Sequence, residues 1–508
     1  MGVFAVALGP LLLLLFCYFC YVGFHRHRKN RNVPPGPWGI PYLGYLPFLG
    51  PHPRNTFNRL GKKYGNIFSF YLGSRLAVVL NDHQAITAAL QEQAEVFSGR
   101  AGGFVASYLR TGVERATHGI GTPGGSTFKE GRKFMLQTFR DLGMGKSKLQ
   151  GSIIQEANGL VDLANKFNGQ PFDPFPLLNT AVANCVGALC FGPEFSRNDP
   201  SFGQVLTGLS IAESYRYTLS PLQWFPWLRF LPGPFQKKWH QTVANTKERL
   251  QFVRGMVKEH RVTFSQANTR DYIDAFFHRQ AHIKGSGADL PPIFKDEELE
   301  ANLGSFFGAG MTLTAVTLTW ALVFLLNYPD VQKRIHQELD QRIDPGQVVE
   351  LEDRAKLPYV EAVIREVLRL ADTVPLILPR ANLRETVLLG HRIPADSVIF
   401  SNFKAVNDDP ALWHDPLVFD PTRFLAKDGS VHEPSHFAPF SLGKRACVGE
   451  SLARMILFLL FANLMQQLVI KTPPGIAPPL LTQRVTSQTS TPMPFRVCAV
   501  PRIKMNQL

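Results

Sequence analysis

The sequence feature that most constrains the fold is a long apolar helical pattern in the second half of the chain. It runs from Asp296 to about Leu326, and its middle is almost entirely apolar. A helix that is apolar on all sides has to be buried. The helix dipole stabilises negative charge in the first turn of a helix. The acidic residues there are Asp296, Glu297, Glu298 and Glu300. The pattern predicts a large, mostly helical domain around this central helix.

Composition fits one large globular domain and excludes several classes of protein. The chain has 508 residues, of which 45% are apolar and 19% are charged. Its 6 cysteines show no spacing typical of a disulfide framework, which indicates a reducing compartment. Lysine and arginine outnumber the acidic residues, 54 to 40, but no nucleic-acid motif accompanies them. We therefore expect no nucleic-acid partner.

The N-terminus reads as a membrane anchor. Residues Val3 to Phe24 are almost continuously apolar, about long enough to cross a bilayer, and the basic residues Arg26, Arg28, Lys29 and Arg31 follow at once. A cleaved signal is the alternative, but the charges come after the apolar run and no clear Ala-x-Ala site follows. We predict a single-pass anchor at 1–25, a basic and proline-rich hinge at 26–37, and a cytosolic catalytic domain at 38–508.

Cys447 is the strongest candidate for a metal ligand. It stands in the stretch Phe440-Ser-Leu-Gly443-Lys-Arg445-Ala-Cys447-Val-Gly449, just before a helical pattern that extends to about Leu468. Gly443 permits the positive φ of a tight turn, and Gly449 lets the backbone lie close to the sulfur. The N-terminus of the helix favours a thiolate over a thiol. A thiolate ligand of this kind suits haem iron.

This stretch resembles the haem-binding signature F-x-x-G-x-R-x-C-x-G of the cytochrome P450 family at every defined position. The resemblance implies a mainly α cytochrome P450 fold with a small β-rich region, in addition to the transmembrane helix. It also implies haem b as the cofactor, with Cys447 as its axial ligand and Phe440 and Arg445 beside it.

Further motifs extend the resemblance along the chain. Phe128 and Arg132 match the family's W-x-x-x-R helix, with phenylalanine in place of tryptophan. Arg132, Arg380 and Arg445 are implied partners of the haem propionates, whereas Phe128 only packs beside them, because it lacks the indole N–H.

A structural cluster is implied by two more motifs. Glu366 and Arg369 match the E-x-x-R helix, and Arg423 lies in the segment that matches P-x-R-F. In the family these three side chains form a Glu-Arg-Arg cluster that holds the loop leading to the cysteine ligand.

The central helix departs from the family pattern. Ala309 and Gly310 match the start of the oxygen-activating motif A-G-x-D/E-T, which puts Thr312 at the acid position and Leu313 at the threonine position. In the alternative register Thr312 is the motif threonine. Leucine cannot support the water chain that delivers protons during oxygen activation. Thr312 and Thr314 lie about 100° to either side of Leu313 on the helix, so neither simply replaces the hydroxyl. Each could hold a water, and we expect rather that they bond to the carbonyl one turn back.

Other segments are predicted to surround the substrate. Residues 67–80 alternate around Gly73 and predict a β-hairpin, and the glycine-rich segment 99–125 reads as a disordered loop or a substrate lid. The aromatic segment from Pro221 to Pro232 cannot be one long helix, and either packs in the core or dips into the membrane interface. The expected pocket residues are Phe306, Phe307, Leu313, Val374, Leu376 and Ile377.

The leading functional prediction is a monooxygenase of the endoplasmic reticulum membrane that acts on a lipophilic small molecule. Its electrons would come from NADPH through cytochrome P450 reductase, with cytochrome b5 as a further donor. A basic surface that would dock the reductase is expected at Lys129, Lys133, Arg140, Lys444 and Arg445. The alternatives are a haem-thiolate isomerase or dehydratase that needs no external electrons, favoured by Leu313, and a haem-binding protein without turnover.

Overall fold

The computed structural model describes residues 32–50, 53–112, 119–121, 126–192, 220–344, 346–374, 378–486 and 489–502. The predicted anchor at 1–25 lies outside the described residues. The chain divides into two compact units. The first unit takes in the chain up to Ala101, together with Leu376–Val406 and Leu442–Lys444. The second unit contains Gly102–Pro375, Asn407–Ser441 and the chain from Arg445 onward.

The helices of the first half of the chain are α1 (Pro53–Tyr64), α2 (His83–Thr87), α3 (Phe104–Thr111), α4 (Ser126–Asp141), α5 (Ser147–Asn165), α6 (Pro174–Phe191), α7 (Ser220–Trp224) and α8 (Pro234–Thr263). Those of the second half are α9 (Tyr272–Gly285), α10 (Asp296–Asn327), α11 (Pro329–Arg342), α12 (Pro358–Ala371), α13 (Phe403–Asn407) and α14 (Glu450–Gln467).

The first unit is built on a five-stranded sheet. Strands β1 (Ile67–Leu72) and β2 (Arg75–Leu80) form the predicted hairpin, which is confirmed. The sheet continues through β7 (Val398–Ser401) and β4 (Arg380–Ala381) to β3 (Gly99–Arg100). A small hairpin of β5 (Thr386–Leu388) and β6 (His391–Ile393) belongs to the same unit.

The second unit is helical and has one large apolar core, with two smaller apolar clusters beside it. Helix α10 confirms the predicted central helix, and it packs along α6, α8, α12 and α14. Two small antiparallel sheets complete the unit, one of β8 (Leu468–Lys471) with β11 (Cys498–Pro501) and one of β9 (Arg484–Thr486) with β10 (Ser490–Pro492). The predicted mainly α fold with a small β region is confirmed.

Two segments differ from the sequence-based expectations. The glycine-rich segment 99–125 was expected to be a disordered loop or a substrate lid, and it contains α3, which is capped by Gly112 in the left-handed conformation. The aromatic segment is confirmed as interrupted, because α7 ends at Trp224 and a separate 3₁₀ helix covers Pro226–Phe230. Trp227 and Phe230 are 56% and 67% exposed, so these two rings are not core residues.

Among the described residues, two helices are long and apolar enough to span a membrane. These are α6 and α10, and most of their residues are buried within the protein. Such helices are the core helices of a globular domain, so this test adds nothing for or against the anchor.

Candidate active site

Cys447 lies on a tight loop that ends where α14 begins. Its backbone N–H donates to the carbonyl oxygen of Phe440 at 2.9 Å, which closes the loop. Gly443 has a φ of +71°, and a Cβ at this position would lie 1.7 Å from the carbonyl oxygen of Leu90. Only glycine satisfies both conditions. Gly449 is different, because a Cβ there would stay 4.0 Å from the sulfur of Cys447, an ordinary contact.

The side chain of Cys447 is solvent-accessible, and burial by surrounding protein atoms is still the main influence on its thiol. Burial raises the pKa of this thiol, and Glu450 at the start of α14 adds to the increase. The backbone N–H of Gly449 and the charge of Arg132 act in the opposite direction but are weaker than burial. The backbone N–H at the helix N-terminus therefore favours the thiolate as expected, but burial outweighs it. Coordination to a metal ion deprotonates a thiol in such a setting.

The positively charged Arg132 and Arg445 lie in the second unit, as Cys447 does. Arg132 lies on α4, where burial lowers its pKa and the charge of Cys447 opposes that effect, so the two side chains are within electrostatic reach. The guanidinium of the buried Arg445 stacks on Phe128, with its central carbon 3.2 Å from the ring centroid. Arg445 also donates through Nη1 to the carbonyl oxygen of Ile120 at 3.1 Å.

Two other predicted cofactor residues have clear local partners. Arg380 belongs to the first unit, where it is buried on β4 and donates through Nη2 to the carbonyl oxygen of Leu442 at 2.6 Å. Phe440 lies under the guanidinium of Arg454, whose central carbon is 5.1 Å from the ring centroid.

Helix α10 has an accessible stripe in an otherwise buried surface. It consists of Ser305, Gly308, Ala309, Gly310 and Leu313. Ser305, Ala309 and Leu313 are spaced four residues apart, so they share one face of the helix. Phe306 passes close to the cysteine loop, because its ring would lie 3.5 Å from a Cβ at Gly449. The stripe carries no charged side chain, and Leu313 lies on it.

The threonines beside Leu313 are turned into the protein. Thr312 and Thr314 are both buried, and the hydroxyl of Thr312 has no hydrogen-bond partner among the described residues. The expectation that Thr312 bonds to the carbonyl one turn back is therefore wrong. Thr317 and Thr319 form that bond instead, to Leu313 and Ala315, each at 2.8 Å. A buried hydroxyl without a protein partner is a candidate site for an ordered water.

The predicted substrate pocket is only partly supported by the geometry. Phe306 and Phe307 are core residues, since their rings pack on Phe139 and Phe191 with centroid distances of 4.3 Å and 5.3 Å. They lie off the accessible stripe, and their place among the lining residues stays a prediction. Val374 is half-buried. Leu376 and Ile377 lie outside the described residues.

The Glu-Arg-Arg cluster forms as the motifs predict. Arg369 donates to both carboxylate oxygens of Glu366, at 2.7 Å and 2.8 Å, and Nε of Arg423 reaches the same carboxylate at 3.0 Å. Arg369 also donates to the carbonyl oxygens of Asn407 and Pro416, which belong to the chain that leads toward Phe440. Glu366 and Arg369 are completely buried, so the cluster fixes this chain from inside the protein.

The predicted basic surface is smaller than expected. Lys129, Lys133 and Arg140 are exposed on α4. Arg445 is buried and cannot be part of a docking surface. Lys444 belongs to the first unit and forms an ion pair with Glu95 at 3.1 Å.

The sequence was compared with family models and with known proteins to identify its family. A family model for cytochrome P450 matches residues 34–499. The chain belongs to the cytochrome P450 family. It is 35% identical over 500 residues to human cytochrome P450 2J2, covering 97% of this chain and 96% of that protein. Cytochrome P450 2U1 of Mus musculus is 35% identical over 516 residues, covering 96% and 94%. Cytochrome P450 2H2 of Gallus gallus is 33% identical over 500 residues, covering 97% and 99%.

Membership of this family makes the protein a haem-thiolate monooxygenase with haem b as its cofactor. The leading functional prediction is thereby confirmed at the level of reaction class. These relatives represent the microsomal branch of the family. That branch implies a small-molecule substrate, the endoplasmic reticulum membrane, and a redox partner that delivers electrons from NADPH. The donor set fits the cofactor, because an accessible sulfur and buried guanidinium groups match an iron ligand and two carboxylates.

Sequence reasoning missed two pairs of buried polar residues. Glu298 and Asn302 on α10 hold the backbone of segment 119–121, and His260 on α8 pairs with Asp271 before α9. Asp271 is recognisable as a helix cap, but nothing in the spacing of the sequence connects residues so far apart.

Proposed function

We propose that this cytochrome P450 oxidises a lipophilic small molecule and is anchored in the endoplasmic reticulum membrane by residues 3–24, with its catalytic domain in the cytosol. The observation that carries the substrate class is the accessible stripe of α10. A surface that presents Ala309, Gly310 and Leu313 without a charged side chain offers dispersion contacts and few hydrogen bonds. Such a surface selects apolar substrates.

Bound haem b supplies the iron at which dioxygen is reduced. Cys447 would provide the sulfur ligand of the iron, and Arg132 and Arg445 would hold the carboxylates of the haem. The hydroxyl of Thr312 would form a hydrogen bond with a water molecule and exchange protons with it. Leu313 excludes water from the adjacent part of the stripe. This assignment follows the register in which Ala309 and Gly310 begin the motif.

The reaction class and the substrate class are tested by one set of incubations. Purified holoprotein is first screened with apolar, polar and charged compounds for substrate-induced spectral shifts of the haem. Compounds that bind are then incubated with and without NADPH and cytochrome P450 reductase. We expect apolar compounds to bind and product to require both additions. Turnover without them would support an isomerase or dehydratase and overturn the proposal.

We infer that the reductase docks on the exposed face of α4. Lys129 and Lys133 are one turn apart and Arg140 follows two turns later, so one helix presents a row of positive charge. Docking of an acidic protein on this row would weaken as salt increases. Lys133→Glu should raise the KM for reductase several-fold at low salt and much less at high salt. Lys258→Glu, which changes an exposed lysine of α8, is the matched control.

The exposed aromatic segment supports a second contact with the membrane. Trp227, Phe230 and Leu231 are exposed in one segment, and the guanidinium carbon of the basic Arg229 lies 4.6 Å from the ring centroid of Phe230, which is the composition of an interfacial segment. A protein that lacks residues 1–31 should still bind vesicles of anionic phospholipid, and Trp227→Ser with Phe230→Ser should weaken that binding. Equal binding of the two proteins would remove this segment from the membrane contact.

A further inference from the structure

A short backbone segment connects α10 to the arginine beside the cysteine ligand. The backbone N–H of Gly119 donates to Oε2 of Glu298 at 2.8 Å, and that of Ile120 donates to Oδ1 of Asn302 at 2.7 Å. Glu298 and Asn302 are one turn apart on α10, and both are buried. Asn302 also donates through Nδ2 to Oε1 of Glu298 at 3.4 Å.

The other side of the same segment faces Arg445. The carbonyl oxygen of Ile120 accepts a hydrogen bond from Nη1 of Arg445, and the guanidinium stacks on Phe128. Ile120 is therefore held at its N–H by α10 and at its carbonyl by Arg445. Gly119 allows this approach, because its φ is +87° and a Cβ there would lie 3.0 Å from the Cβ of Ala301.

Two buried polar side chains at this place need an explanation. Placing a carboxylate and an amide in the interior costs free energy unless their hydrogen bonds are made. Here the two side chains accept hydrogen bonds from the backbone of segment 119–121, and the carbonyl oxygen of Ile120 accepts one from Arg445. A hydrogen bond and a stacked ring both restrict the plane of a guanidinium, since both contacts depend on its orientation.

We infer that Glu298 and Asn302 are positioning residues for Arg445. They hold segment 119–121 on α10, and the carbonyl of Ile120 then fixes the plane in which the guanidinium of Arg445 faces a cofactor carboxylate. The inference rests on the proposed role of Arg445 toward haem. Glu298 and Asn302 themselves make no contact with the cofactor in this scheme.

The test is a double-mutant cycle measured as the rate of haem loss from purified holoprotein to an excess of a haem-free acceptor protein. Asn302→Leu keeps the size of the side chain and removes the acceptor for Ile120, and we expect it to speed haem loss about fivefold. Arg445→Gln should speed haem loss as well. In the Arg445→Gln background, Asn302→Leu should then have little further effect.

Three controls separate the outcomes. Glu298→Gln keeps an acceptor for Gly119 and should lose haem at nearly the wild-type rate, whereas Glu298→Leu should resemble Asn302→Leu. Thr319→Val removes a buried hydroxyl farther along α10 and should change nothing. If Asn302→Leu yields no holoprotein, Asn302→Ser enters the same cycle. Additive effects of the substitutions at 302 and 445 would overturn the positioning role. Unchanged haem loss in Arg445→Gln would overturn the proposed role of Arg445 itself.

Discussion

The cysteine side of the second unit and the accessible stripe of α10 are built in opposite ways. The chain that leads to Cys447 is fixed by buried charge, with Glu366, Arg369 and Arg423 in one cluster. The stripe has no charged side chain, and the hydroxyl of Thr312 beside it has no protein partner. Ion pairs and hydrogen bonds fix geometry, while an apolar surface leaves room for different occupants. The comparison implies that buried charges fix the position of the cysteine ligand. Proton delivery on the side of the stripe depends on only a few groups.

The largest expected effect comes from breaking the charged cluster. Glu366→Gln removes the charge that two arginines face in a fully buried site, so the holoprotein should lose roughly 3–5 kcal/mol of unfolding free energy. Urea unfolding followed by haem absorbance measures this. Glu385→Gln is the control, because Glu385 forms an exposed pair with Arg392 at 2.6 Å and should have no measurable effect. Equal effects of the two changes would contradict the contrast between buried and exposed charge.

A second buried pair sharpens the comparison because, unlike the arginine cluster, it contains a histidine, whose pKa is raised from the ordinary value of 6.5. Nδ1 of His260 lies 2.8 Å from the carbonyl oxygen of Met256, and Nε2 lies 2.8 Å from Oδ2 of Asp271. Both partners accept hydrogen bonds, so both ring nitrogens donate and the imidazole is charged. Burial lowers the pKa of His260, but the hydrogen bond and charge of Asp271 outweigh burial and the repulsion of Arg270, and the pKa is raised.

The sign of the pH effect follows from this shift. The charged pair stabilises the fold fully below the ordinary histidine pKa of 6.5, and this contribution is lost as pH rises through the raised value. Urea unfolding at pH 6 and pH 9 should show a larger difference between wild type and His260→Gln at pH 6. The arginine cluster should show no such change over this range. A gap that widens at pH 9 would contradict the assignment of charge.

On the stripe of α10, smaller effects on proton delivery are expected. Thr312→Val removes the unpartnered hydroxyl and should lower the fraction of NADPH use that yields product. The change should be smaller than the ~100-fold that a complete proton-transfer group contributes, because water can still enter. Leu313→Thr should raise that fraction. Thr319→Val is the control, since its hydroxyl is bonded to Ala315. An unchanged fraction in both variants would break the account of this helix.

The smallest expected effect lies at Phe128. Phe128→Trp adds an indole N–H beside Arg445, and one extra hydrogen bond to a cofactor carboxylate should slow haem loss by about fivefold. Phe128→Leu removes the stacked ring and should speed haem loss. If both variants lose haem at the wild-type rate, this ring contributes only to packing.

Local spacing was enough to predict much of the fold and the cysteine side. Glu366 and Arg369 are three residues apart on one helix, and Gly443 and Cys447 share one turn, so short-range geometry brings them together. The central helix and the β-hairpin were equally readable, because each is a continuous periodic pattern.

The sequence could not give the orientation of side chains around α10. A helix that is apolar on all sides has no polar face to show its rotation, so Phe306 and Phe307 looked equivalent to the stripe residues although they pack in the core. The partner of Glu298 was also hidden, because that contact joins residues 179 positions apart in the chain. Arg445 was expected on a docking surface for a related reason, since charge in a sequence does not report burial.

The most direct test of the central claim is the spectrum of the ferrous carbonyl complex of the purified holoprotein, compared with that of Cys447→Ser. A cysteine thiolate ligand predicts the long-wavelength absorption typical of thiolate-bound haem in the wild-type protein and its loss in the variant. Absorption of the wild-type complex at the position typical of imidazole-bound haem, or an unchanged spectrum in Cys447→Ser, would contradict the account.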